Sequence, residues 1–106
     1  MRILLDECVP QPLRHEFPGH DVFTVGFMGW AGKKNGELLQ LMLPEKFDVF
    51  VTIDKNLIYQ QNLRAAQVAV LLLNAPPNKL QDLLPLMPAA QTALATIRAG
   101  DFVEIS

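Results

Sequence analysis

The sequence predicts a three-layer α/β/α domain on a five-stranded, mainly parallel sheet. Three observations carry this. Short apolar runs rich in β-branched residues alternate with helix-compatible stretches, giving the order β-α-β-α-β-α-β-α-β. The run "VAVLLL" (68–73) is apolar at every position, as a strand buried on both faces should be. The chain has 106 residues, half of them apolar, which suits one domain over 1–106 with a sizeable core.

The elements follow in order. "RILLD" (2–6) reads as a first strand. Residues 10–17 read as a short helix whose two prolines sit in the first turn, where a missing N–H costs little. "PGH" is a turn, and "DVFTV" (21–25) a second strand. Residues 26–36 form a loop with four glycines, the longest in the chain, and long loops in compact domains are often functional. A helix over 35–43 is expected, with Asn35 as N-cap, a buried stripe of Leu38, Leu39, Met42 and Leu43, and Pro44 closing it. "DVFVT" (48–52) is a third strand, followed by a helix over 56–64 that turns Leu57, Ile58 and Leu63 inward. After the fourth strand comes the turn "NAPPN" (74–78), then helical pieces over 79–84 and 87–98, separated or kinked by Pro85 and Pro88. Gly100 ends the second, and "DFVEI" (101–105) is the last strand. Connection rules favour the strand order second-first-third-fourth-fifth.

Composition narrows the function. A single cysteine, Cys8, allows no internal disulfide and argues against a cysteine-based zinc site. No stretch approaches the roughly 18 apolar residues of a membrane span. The opening "MRILLDE" does not read as a signal peptide, and a cytoplasmic location fits. The net charge of −2 lacks the basic footprint of many nucleic-acid binders.

Open parallel sheets bind ligands beyond the carboxyl ends of their strands, and this rule sorts the eleven acids. Asp21, Asp48 and Asp101 begin strands, and Glu16 and Glu45 lie at the same opposite edge. Glu104 is inside a strand, and Asp82 belongs to a late helix facing water. Asp6 and Glu7 leave the first strand, Asp54 leaves the third, and Glu37 lies in the first turn of the helix after the second. Glu37 also reads as an acid favoured by the helix dipole. An acid at the end of a buried strand, such as Asp6, needs a partner or a metal. Mg²⁺ and Mn²⁺ suit such oxygen ligands and activate water in phosphodiester cleavage. Thr52 offers a hydroxyl to a water or a carboxylate, or is simply a β-branched strand residue.

"ILLDECVP", "GHDVFTV", a glycine-rich loop with an acid opening a helix, and "DVFVTIDKNL" together resemble a family of short prokaryotic PIN-like proteins, over roughly residues 1–73 by motif order. PIN domains are metal-dependent ribonucleases, and many are toxins of toxin–antitoxin pairs. The resemblance implies a PIN-like fold, an RNA substrate, an antitoxin partner and a Mg²⁺ or Mn²⁺ cofactor. It implies Asp6, Glu37 and Asp54 as catalytic metal ligands, Thr52 as part of the Thr-x-Asp element, and Glu7 as a neighbouring acid. The family often has a further Asp where this chain has Asn56, an amide that can bind through its carbonyl but brings no charge.

Two other readings keep the architecture. One is a catalytically inactive PIN-like domain that binds protein. The other is a degenerate response-regulator receiver, which Asp6, Glu7 and Asp54 fit. A receiver also needs a Thr or Ser after the fourth strand and a Lys after the fifth, where this chain has Asn74 and Ser106. Lys33, Lys34 and Lys55 lie on the acid-bearing edge and offer local positive charge for phosphates. Trp30 either stacks on a base or, more in keeping with large aromatics, anchors its own loop. His15 and His20 fall on the opposite edge. Cys8 reads as a small buried hydrophobe. The Leu and Met positions of the last helices serve either the core or a homodimer face.

Overall fold

The computed structural model describes residues 1–56 and 63–106. Its strands are β1 (Arg2–Leu5), β2 (Asp21–Thr24), β3 (Val49–Thr52), β4 (Ala69–Leu73) and β5 (Phe102–Ile105). All neighbouring strands pair in parallel, in the order β2-β1-β3-β4-β5. The α-helices are α1 (Asn35–Met42), α2 (Leu63–Ala66), α3 (Leu80–Leu83) and α4 (Met87–Leu94). The expected order and fold class are both observed.

Side chains alternate across each strand, so the sheet feeds two cores. On one face Ile3, Leu5, Val49, Val51 and Leu71 meet Leu13, Leu83, Met87 and Ala90. On the other, Leu4, Phe50 and Val70 meet Leu38, Leu39 and Met42 of α1. Fully burying a Val, Leu, Ile, Phe or Met side chain contributes about 1.5–3 kcal/mol. These two apolar layers hold β1 and β3 side by side and bring their ends together.

Several expectations shift locally. Residues 10–17 form a 3₁₀ segment, Gln11–Glu16, that buries only Leu13. One apolar residue in six supplies too narrow a stripe to anchor an α-helix. Asn35 is not the N-cap. Lys34 holds that place, and Asn35 is the first helical residue. Leu43 lies beyond α1 and is exposed rather than buried. The late helical region divides into α3, a 3₁₀ turn at Leu84–Leu86, and α4. Pro88 sits in the first turn of α4, where it is tolerated, so it starts that helix rather than kinking one. Asp82 is half-buried and accepts the Lys79 N–H at 3.0 Å, capping the start of α3. The helix expected over 56–64 falls mostly outside the described residues, and its Leu57 and Ile58 with it.

Candidate functional site

In the order β2-β1-β3-β4-β5 the chain leaves β1 toward one edge of the sheet, then crosses back to build the other. The switch point therefore lies between β1 and β3, and open parallel sheets bind ligands beyond the carboxyl ends of the strands at such a point. Asp6 follows β1, and Thr52 ends β3.

Asp6 is 7 % exposed and Thr52 is fully buried. The Thr52 hydroxyl donates to Asp6 Oδ2 at 2.7 Å. The same hydroxyl accepts the Asp54 N–H at 3.1 Å. Thr52 is thus a relay that fixes the Asp6 carboxylate against the backbone of Asp54. The Asp6 N–H donates to the Val51 carbonyl at 2.9 Å, which extends the β1–β3 ladder one residue. Asp6 Oδ1 accepts the Glu7 N–H at 2.8 Å. The Asp54 carboxylate is half-buried; its Oδ2 accepts Asn35 Nδ2 and its Oδ1 accepts the Asn56 N–H, each at 3.0 Å.

Two members of this network are not apparent from acid sorting. Asn35 reaches Asp54 because α1 starts one residue early, which turns its side chain toward the strand ends. Cys8 is an exposed residue, not a buried hydrophobe, yet its thiol donates to Asp6 Oδ2 at 3.2 Å. Partial burial of the sulfur pushes its pKa up from 9.0 to about 11; the Ile53 backbone hydrogen bond opposes this, and the Asp6 charge adds to it. The signal for Asn35 was its place two residues before Glu37 in the same loop-to-helix junction.

The remaining candidates lie around this centre. Glu37 is exposed and stands 4.0 Å from Lys33, one turn away on the same surface. Glu7 is exposed, and its Oε1 accepts the Gly32 N–H at 3.3 Å. Gly32 has φ +81°, a left-handed conformation that strains any residue with a Cβ. Lys34 and Lys55 are exposed, and Asn56 enters through its backbone N–H. Trp30 packs edge-on against Phe47 with centroids 5.9 Å apart, as a loop anchor does.

Among the described residues no three His, Cys, Asp or Glu side chains are gathered as around a metal ion. The acceptor count is more permissive. A carboxylate oxygen carries two lone pairs. Asp6 Oδ2 uses both, for Thr52 and Cys8. Among the described residues, Asp6 Oδ1 and both oxygens of Asp54 each have one protein donor, leaving capacity for another partner. Two such carboxylates fit Mg²⁺, which keeps several waters and takes one or two carboxylates plus substrate oxygens; they do not build an all-protein cage.

A scan against protein-family models found no match, and searches of curated proteins and of solved structures found none either.

Proposed function

We propose that the chain is a PIN-like ribonuclease dependent on Mg²⁺ or Mn²⁺, the toxin-like member of a pair with an antitoxin protein. The observation that carries this reading is the Asp6–Thr52–Asp54 relay at the β1/β3 switch point, where a doubly wound sheet binds its ligand. Asp6 and Asp54 would hold the ion, and Glu37 on the neighbouring helix would complete the acidic rim. When bound, such an ion activates water and neutralises charge on a phosphodiester. Thr52 and Asn35 orient the two carboxylates. Lys33, Lys34 and Lys55 supply positive charge for the RNA backbone on the same edge. The test is RNA cleavage by the purified protein with Mn²⁺, beside Asp6→Asn and Asp54→Asn. Loss of cleavage in both variants is expected; equal cleavage by all three proteins overturns the assignment.

One observation favours a second reading, an inactive PIN-like domain that binds protein. The Asp6 Oδ2 atom already has two protein donors, so that carboxylate is partly satisfied without a metal. Calorimetry separates the two readings: no heat of Mn²⁺ binding selects the second.

A further inference from the structure

A cavity of about 360 Å³ lies away from the strand-end acids, lined by Gln11, Arg14, Val22, Phe23, Thr24 and Phe27. Three of these are consecutive residues of β2. Side chains of consecutive strand residues point to opposite faces. A cavity touching all three must therefore run along the edge of the strand, and β2 is an edge, hydrogen-bonded within the sheet to β1 alone.

Among the described residues, the outer backbone edge there is unpaired in a regular way. The Asp21 N–H donates to the Met1 carbonyl and the Val25 N–H to the Leu5 carbonyl, so these amides face β1. Alternation then turns the N–H groups of Val22 and Thr24 and the carbonyl of Val22 outward, into the cavity. The Thr24 carbonyl is taken by the Met28 N–H at 3.2 Å. Open edges of this kind are templates for another strand.

The side chains add chemistry. Phe27 is 76 % exposed, and its ring lies 5.7 Å from that of Phe23. Arg14 donates to the Gln11 carbonyl at 3.0 Å and, among the described residues, forms no ion pair. Among the described residues no acid lines the cavity, and the charge it carries there is the positive one of Arg14.

We propose that this cavity is a docking groove for an extended acidic peptide of a partner protein, added as a sixth strand beside β2. The peptide backbone pairs with Val22 and Thr24, an apolar side chain covers Phe27, and a carboxylate meets Arg14. The groove serves this role whether or not Asp6 and Asp54 bind a metal.

The experiment is selection of binders from a random heptapeptide display library on the whole chain, with affinities measured for the enriched synthetic peptides. Enriched peptides should carry an acid next to alternating apolar residues. Arg14→Glu and Phe27→Ser should each weaken binding at least about tenfold. N-methylation of alternate peptide amides should abolish binding in one register and spare it in the other. Three results overturn the proposal: no enriched peptide, peptides indifferent to both substitutions, or self-association of the chain that Phe27→Ser abolishes, which would assign the groove to a second copy.

Discussion

The Thr52 hydroxyl donates a 2.7 Å hydrogen bond to Oδ2 of Asp6 and accepts the Asp54 N–H, so one buried atom serves the ends of two strands. Thr52→Val keeps the shape and removes both bonds. A buried acceptor and a backbone donor each lose a partner, and a loss of about 1–3 kcal/mol is expected in urea unfolding. Thr52→Ser keeps the oxygen and loses a buried methyl, for about 1 kcal/mol. A valine variant as stable as the parent would show that the relay contributes nothing to the fold.

The two strand-end acids and the helix acid differ in setting, and metal affinity should follow that difference. Asp6 and Asp54 are held by fixed donors, whereas Glu37 is exposed and faces Lys33. Rigid, oriented ligands lose less entropy on binding than a mobile surface side chain. Asp6→Asn and Asp54→Asn are expected to weaken Mn²⁺ binding at least about tenfold, taking the usual range for disturbed metal sites as a floor. Glu37→Gln should cost less than either. Calorimetric titration decides it, and a larger loss for Glu37→Gln would move the centre of the site out to α1.

Much of this arrangement was legible in the sequence because strands and acids obey a simple geometry. The runs at 2–6 and 48–52 had to be buried, and this placed Asp6 at the carboxyl end of the first and Asp54 just past that of the second. The strand order observed is the one that the usual connection rules favour. What was not legible depended on one-residue details. Asn35 as N-cap would leave its side chain bonding its own helix; as the first helical residue it reaches Asp54 instead. Leu43 fits the apolar period of α1, but the helix ends at Met42 and leaves it exposed. Cys8 reads as a hydrophobe by residue type, yet its thiol turns to the one buried carboxylate within reach. Periodicity says which face a residue is on, not which atom it touches.

The thiol of Cys8 should be slow to alkylate despite its exposure. Its pKa is raised from 9.0 to about 11, first by partial burial of the sulfur and further by the Asp6 charge. Only the thiolate reacts. At pH 8 the thiolate fraction falls roughly a hundredfold relative to a thiol at the ordinary value. Iodoacetamide labelling of the folded chain in EDTA should therefore be slower than labelling in urea by about that factor, with a rate still rising past pH 10. Because the folded pKa lies above the unfolded one, the unfolded chain sheds this proton first. The group's contribution to stability is full below pH 9 and is lost as the pH rises toward about 11. Asp6→Asn should speed labelling. Equal rates in folded and unfolded protein would sink the assignment.

Asn35 offers the sharpest probe of whether the strand-end site is poised for a cation. Its amide donates to Asp54 Oδ2 at 3.0 Å. Asn35→Asp replaces that donor with a second carboxylate. The lost bond to a charged group is worth about 1.5–3 kcal/mol. Against it stands a gain of about 0.3–1 kcal/mol from an acid in the first turn of α1. The balance predicts a variant less stable by about 1–2 kcal/mol at pH 7 without metal, because like charges face each other. Mn²⁺ should reverse the order. A third carboxylate raises affinity for the ion, and a ligand that binds only the folded chain stabilises it in proportion to the logarithm of concentration over Kd. Thermal melts of both proteins with EDTA and with Mn²⁺ test this: the variant's Tm should start lower and rise further. A variant that melts below the parent by the same margin under both conditions would mean that no cation enters between residues 35 and 54.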